Sequence, residues 1–567
     1  MSKKNLMLLT VLFLLTIVPA LFVSPTRAQT APTFRMSLTE GSPKAFTQAI
    51  KGGPQQYVSM LIFDPLVMVD VKSLEILPNL ATSWDISQNG LTYTFHLVKN
   101  AKWHDGAAFT SADVKYTFDY IIKNKLNGYG FLKGIASIST PDPYTVVINL
   151  SAPDAATLIK VNGRYSGSVD IVPMHILNGT DWSKDDDFLQ HPVGTGPYKF
   201  SSYDGTNLIL LRNDNYFAGT PGFAKVVATV IPSSTLALKA FENNELDWVY
   251  SSQIGSISEF LRLKNLPGNV GQTFYQFMES IEFNTSGAPV KDVNVRKAFA
   301  LAINRSEINQ KIYLGQGKPQ DSSSFPDWLT WATSPDVKLP SYDPDAANKL
   351  LDQAGYPKGS DGMRFSVKIS YANPYNPPPE FVDVLKSQLA KVGINVVHEP
   401  NEWDVWYQKV YKNYNFQISV HHIIVVGDPE IGVADELVPG RLYYFGYNNT
   451  EIQNLYAQAA AKTDRGDRAK IYAQIQQKLL DQLPYIGLVD SPTAMLWKSG
   501  FTDILKGDNY RLRFARATPA ATTQGSTSVT TGPAYFDYTP IASIAVVILI
   551  IVVGFYAYSK RKQKPKT

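Results

Sequence analysis

The chain has 567 residues, a formal net charge of +4, no cysteine, and 44% hydrophobic, 12% aromatic and 18% charged side chains. At ~100–200 residues per domain this length excludes a single small module, and the apolar content excludes intrinsic disorder. The absence of thiols excludes disulfides, thiolate metal sites, a cysteine nucleophile and a lipid-modified cysteine anchor.

Lys3 and Lys4 precede an uncharged apolar run from Leu6 to Val23, then Ser24-Pro25-Thr26-Arg27-Ala28, the pattern of an export signal cut near Ala28. An uncleaved N-terminal anchor is the alternative. Leu91, Tyr93, Phe95 and Leu97 alternate, predicting a half-buried strand, and Tyr144 to Leu150 repeats the pattern. The stretch from Leu80 to Tyr120 as a whole predicts a strand, a tight Asp105-Gly106 turn and a helix capped at Thr110 or Ser111, with Asp113 in its first turn. Within Pro192-Val-Gly-Thr-Gly-Pro-Tyr-Lys-Phe200, Gly-Thr-Gly-Pro reads as a turn. Asp343 is placed to cap a helix that Pro344 begins and Gly355 ends. Phe381, Leu385, Leu389 and Val392 recur at helical spacing before Gly393, and Ile394 and Val396 open the next strand. Helix, glycine, strand is the recurrent unit, so the class is α/β, with sheets expected to belong to separate lobes.

Residues 517–537 are rich in threonine, serine and alanine, without charge until Asp537, and read as a stalk. Residues 538–559 carry no charge and are long enough to span a bilayer of ~30 Å, and the basic tail 560–567 is then cytoplasmic. The expected location is therefore the cell membrane, single-pass, with residues 29–516 extracellular. Lys3, Lys4 and Arg27 lie in the signal and Lys560, Arg561, Lys562, Lys564 and Lys566 in the tail; 53 basic residues less these eight leaves 45 against 49 acids. The basic excess is thus a topology signal, and no nucleic-acid partner is expected.

Several of these segments together resemble the family 5 extracellular solute-binding proteins, the dipeptide/oligopeptide-binding type that serve ABC importers. The match runs from Leu80-Ala-Thr-Ser-Trp84 through Trp103 to Asp119, Pro192 to Phe200, Leu211 to Phe217, Lys239 to Trp248, Phe283-Asn284, Val295 to Asn304 and the Asp343 helix to Arg468–Leu479. The resemblance implies a bilobed, type II periplasmic-binding-protein-like α/β fold with an extra domain inserted in the first lobe. The first lobe is expected over about 29–57, 193–283 and 488–516, the inserted domain over about 58–192 and the second lobe over about 284–487. It further implies Venus-flytrap closure on a ligand, delivery to ABC permease subunits and, through them, to cytoplasmic ATPases, and a monomeric ectodomain. A stalk followed by a C-terminal span resembles the archaeal, membrane-anchored layout of the family.

Peptide-binding relatives carry a segment of the type Trp-x-x-Asp-x-x-Asp-Pro whose first Asp pairs with the peptide ammonium. Here the stretch is His422-Ile-Ile-Val425-Val-Gly-Asp428-Pro429, with His422 for the Trp and Val425 for that carboxylate. A free-N-terminus peptide would need another carboxylate, and Glu279, Glu282 and Glu430 are the substitutes considered. Trp328 with Trp331, and Trp403 with Trp406, suit sugar rings or peptide side chains. The candidate ligand contacts are Trp403, Trp406, His422, Asp428, Trp328, Trp331, Tyr275 and Glu282, and the ligand class stays open between oligopeptide and oligosaccharide. His421 and His422 are strand neighbours expected on opposite faces, a poor chelate, so neither a metal nor a cofactor is expected. Asn149, Asn178 and Asn448 begin glycosylation sequons, as do Asn284 and Asn304 in segments expected to be partly buried. No His-Glu-x-x-His, Gly-x-Ser-x-Gly or phosphate-loop motif occurs. The chain is therefore not expected to be an enzyme; a membrane-tethered hydrolase and a non-transport surface receptor are the alternatives.

Overall fold

The computed structural model describes residues 33–39, 56–70 and 75–502, apart from 127, 163–168, 183, 323, 374–376, 426 and 442, together with 518 and 519. Among the described residues no helix is long and apolar enough to cross a membrane. The expected single-pass membrane placement is corrected accordingly: the 538–559 segment that carried it lies outside the described residues, as do the signal, the tail and nearly all of the stalk.

The segment expected as an inserted domain builds its own antiparallel sheet, in the order Ala81–Ile86, Thr92–Leu97, Thr145–Leu150, Ile135–Asp142. The predicted alternation is observed: Tyr93, Phe95 and Leu97 are buried, as are Val146, Ile148 and Leu150 across from them. Helix Ser111–Asn124 is N-capped at Thr110 and packs Val114, Phe118 and Ile121 into the core. Asp113 accepts from the Thr110 backbone N–H at 2.9 Å and, with its other oxygen, from the Met174 N–H at 3.0 Å. A first-turn acid chosen by helix chemistry therefore also ties the helix to a segment sixty residues on.

Apart from two short pairs, Val67–Val69 with Ile76–Pro78 and Phe501–Thr502 with Thr518–Pro519, the remaining strands among the described residues form one eleven-stranded sheet. Its path runs Ile394–Asn401, Phe365–Ala372, Ile418–Ile424, Asn269–Phe283, Tyr485–Lys498, Trp248–Tyr250, Thr33–Leu38, Lys225–Val230, Asn207–Arg212 and Tyr198–Tyr203, with Lys318–Pro319 pairing alongside Tyr485–Lys498. Separate sheets were expected, and the difference has a clear cause. Strands Asn269–Phe283 (15 residues) and Tyr485–Lys498 (14 residues) exceed the usual ~5–6 and belong to both halves. They pair antiparallel from Asn269 with Lys498 to Glu282 with Tyr485, with irregularities between Tyr275 and Phe277 and between Glu279 and Ser280. The first faces Pro492, which has no N–H to donate, so the ladder breaks where Gln276 is extra.

On either side of that break the buried side chains form different clusters. Phe34, Tyr57, Phe95, Tyr198, Trp248 and Met495 belong to one, whereas Ile281, Phe299, Ile369, Leu385, Ile418 and Leu488 belong to another. The helices of the second half follow the sequence: Pro344–Gln353 is capped by the Asp343 side chain, and Pro379–Ala390 buries Phe381, Leu385 and Leu389.

The Gly194-Thr195-Gly196 turn is required by a close approach of backbones. A Cβ at Gly194 would stand 1.8 Å from the Ile62 carbonyl oxygen, and one at Gly196 2.6 Å from it; the Gly196 N–H donates to that same oxygen at 2.8 Å. Gly194→Ala is expected to force the segments apart at a cost of about 1–3 kcal/mol, seen as a lowered urea midpoint. An unchanged midpoint would refute this account of the turn.

Candidate ligand-binding site

The second half gathers its aromatic residues and acids beside the irregular part of the long strands. Helix Trp403–Tyr407 continues into a π-helical turn, Gln408–Lys412, which sets Tyr411 beneath Trp406 with ring centroids 5.2 Å apart. Trp406 also packs on His421 at 5.2 Å and on Trp403 at 5.1 Å, while Tyr443 closes over His421 at 5.3 Å. His421 and His422 stack at 5.0 Å, contrary to the expected opposition. They sit across from Ser280 and Glu279, where the neighbouring ladder bulges, and the added local twist re-aims them. Among the described residues no group of three His, Asp or Glu side chains converges to hold a metal ion.

Below this layer lies a pair of acids. Glu282 and Glu436 are fully buried and hydrogen-bonded to one another, and the Tyr411 hydroxyl lies 3.4 Å from both Glu282 carboxyl oxygens. Burial pushes the Glu282 carboxyl up to about 8; burial and then the Glu282 charge hold Glu436 well above its ordinary value. Burial also keeps His421 neutral, well below its usual range. The 3.7 Å approach of His421 Nε2 to Glu436 is therefore a contact between neutral groups and not an ion pair. Glu279 is likewise buried and pushed up to about 7 by desolvation.

The predicted contacts separate in space. His422 is half-buried with its edge on Phe277 at 4.8 Å, and Tyr275, at the strand break, donates its hydroxyl to the Gln316 carbonyl at 3.3 Å. Trp403 is half-buried and Trp406 only 1% exposed. Trp331 donates its Nε1–H to the Gly427 carbonyl and lies under the Arg465 and Arg468 guanidiniums at 5.1 and 5.2 Å; Trp328 packs half-buried on the same cluster. Asp428 is saturated: Arg468 holds both its oxygens at 2.6 and 2.7 Å, and the Glu430 N–H adds a bond at 3.0 Å. Val425 is buried and its N–H donates to Gln276 at the strand break. Of the sequons, Asn178 and Asn448 are exposed, whereas Asn149 is hydrogen-bonded to Thr92 and Ser137 within its sheet.

Sequence reasoning missed a second set of residues. A pocket of about 170 Å³ opens where residues 131–161 of the four-stranded segment meet Glu430, Arg441 and Ala460. The Ala155 N–H donates to the Ala460 carbonyl across this seam at 2.9 Å, and Ile159 and Val69 pack on Ile431. Asp154 pairs with Lys160 on one side, and Glu430 with Arg441 at 2.6 Å on the other. Of the three acids considered for a ligand's ammonium, only Glu430 lines this pocket. Neither Asp154 nor Arg441 lies in a recognisable motif, and only the fold brings them together.

Residues 75–434 match the family model for bacterial extracellular solute-binding proteins, family 5, middle. A Brucella ovis protein described as an ABC transporter peptide-binding protein is 34% identical over 361 residues, which cover 62% of this chain and 65% of that one. The chain thus spans about two thirds of the length of that relative. The dipeptide-binding protein of Escherichia coli is 26% identical over 490 residues, covering 80% of this chain and 88% of its own. Among solved structures, the Helicobacter pylori periplasmic binding protein DppA, in complex with the peptide STSA, superposes with a TM-score of 0.68 at 25% identity, covering 86% of this chain and 98% of its own. NikA from Brucella suis, in complex with Fe(III)-EDTA, reaches 0.75 at 24% identity, covering 86% and 100%. These neighbours share the type II periplasmic-binding-protein fold.

Proposed function

We propose, because the chain belongs to the bacterial extracellular solute-binding proteins of family 5, that it is the substrate-binding subunit of an ABC importer. In this reading it captures a peptide outside the cytoplasm and presents it to permease subunits coupled to cytoplasmic ATPases. The observation that carries the reading is the pair of long strands shared by the two halves and interrupted at Gln276, the extra residue beside the Tyr275–Pro492 pair. Two antiparallel strands with one weakened rung act as a hinge: the halves rotate about the break while each keeps its own core. One lobe then gathers the strands from Thr33–Leu38 to Trp248–Tyr250, the other those from Phe365 to Ile424, and a ligand touching both stabilises the closed form.

Peptide is favoured over oligosaccharide by the tryptophans. A sugar platform needs an open aromatic face, and Trp406 is enclosed by Trp403, Tyr411 and His421 while Trp331 is covered by Arg465 and Arg468. His422 and Phe277, beside the hinge, offer a half-buried edge for a peptide side chain.

The expected result is that mass spectrometry of small molecules released from the purified protein returns short peptides. Adding a peptide pool to the emptied protein should shrink its radius of gyration in solution scattering, with the peptides recovered intact. Hexose oligomers in the released fraction, or peptide cleavage, would overturn the reading.

A further inference from the structure

The pocket between residues 131–161 and Glu430–Arg441 is made of two segments that meet only across the seam, and its chemistry is specific. Its walls include the buried apolar side chains Leu132, Leu150 and Val161. Its volume of about 170 Å³ is close to the ~150 Å³ cavity that accommodates benzene, so it suits a ligand fragment of about five or six heavy atoms. Arg441 takes one Glu430 oxygen at 2.6 Å and lies 3.6 Å from Asp435. The other Glu430 oxygen, Oε1, is buried without a hydrogen-bond partner on a side chain 1% exposed. A buried carboxylate oxygen left unpaired is costly, and a donor that reaches it recovers that cost. Of the charged groups that line the pocket, Asp154 and Glu430 balance Lys160 and Arg441, and Asp435, 3.6 Å from Arg441 and outside the lining, brings one negative charge in excess when all five are ionised. Burial pushes the Glu430 and Asp435 carboxyls up, as expected where a further positive charge is wanting.

We propose that this pocket is an ammonium subsite: it takes a primary ammonium on a short aliphatic stem, the ammonium donating to Glu430 Oε1 and the stem lying on Leu132, Leu150 and Val161. The inference rests on the ligand-binding reading above and deepens it, because it supplies the carboxylate that Val425 cannot. Since residues 131–161 supply most of the walls and Glu430, Arg441 and Ala460 complete them from across the seam, occupancy favours the arrangement in which the two segments touch, coupling recognition of the charge to closure.

The test titrates the full chain calorimetrically with n-butylammonium chloride and, separately, with 1-butanol of nearly equal size. The ammonium should bind saturably, one per chain, at least tenfold tighter than the alcohol, and Glu430→Gln should weaken it at least tenfold. Ala152→Trp, at the exposed rim of the pocket, leaves every charge in place and should abolish binding with an unchanged melting curve; it decides the matter where loss of Glu430 unsettles Arg441. Equal binding of alcohol and ammonium, or binding indifferent to both variants, overturns the proposal. Tri-alanine against its N-acetylated form identifies the source of the charge: a preference for the free terminus assigns the subsite to a peptide's own ammonium, and indifference beside tight n-butylammonium binding assigns it to free amines. The n-butylammonium titration reads the pocket directly, so its failure is distinguishable from a failure to find peptides in the released fraction.

Discussion

Replacing Arg468 by methionine is expected to lower the free energy of unfolding by about 3–5 kcal/mol, the cost of stranding one member of a buried ion pair. The guanidinium and the Asp428 carboxylate are each only a few per cent exposed and meet through two bonds, and the Arg468 guanidinium also donates to the Tyr472 hydroxyl at 2.6 Å. Without the arginine, Asp428 keeps the Glu430 N–H but loses its countercharge. Adding Asp428→Asn to Arg468→Met should recover most of the loss, because the amide oxygen still accepts that N–H and no charge is left buried. Urea denaturation of the two variants checks this. A single variant as stable as the parent, or a double variant no better than the single, would refute it. The same pair explains why Asp428, legible as a site residue, sits where ligand chemistry cannot use it. It fixes the loop from Gly427 to Glu430, on which the Glu430 carboxylate is presented.

Stability should also fall as pH rises from about 6.5 to 8, by an amount on the order of 3 kcal/mol. Glu282, Glu436 and Glu279 are neutral in the fold because burial disfavours their charge, and they ionise near 4.5 once unfolded. A group whose folded value is raised contributes stability that is complete below its unfolded value and is lost as pH climbs through the folded one, here about 7 for Glu279 and about 8 for Glu282. Two histidines tilt the opposite way at lower pH. His104 is pushed down to about 4 by burial, and His421 well below its usual range, so both gain stability as pH rises toward 6.5. Between 6.5 and about 7.5 the two histidines add only their last few tenths of a kcal/mol each, and the loss from the acids prevails. Glu282→Gln keeps a hydrogen-bonding group beside Glu436 and Tyr411 while removing one ionisation, and should flatten the upper part of the curve. Parallel urea titrations at pH 6.5 and 8 check it, and identical slopes in parent and variant would refute the assignment.

The amino-acid sequence by itself settled what depends on near neighbours. Alternation placed Tyr93, Phe95 and Leu97 inward; Asp343 and Pro344 started a helix; Phe381, Leu385 and Leu389 marked a buried helical face; all stand so in the structure. Each follows from a period or a cap read over a few residues. The ordered set of segments was likewise enough for the family and its α/β fold. The tertiary structure decided matters that require distant segments to meet. It joined two expected sheets into one through strands long enough to serve both, and enclosed Trp406 although its spacing with Trp403 suited an open platform. It matched Asp428 with Arg468, forty residues on, and gathered Asp154, Lys160, Glu430 and Arg441 around one pocket. Charge pairing and burial depend on distances across the fold, to which local periodicity is blind; the sequence could name the acids, and only the fold could say which was saturated and which kept an oxygen open.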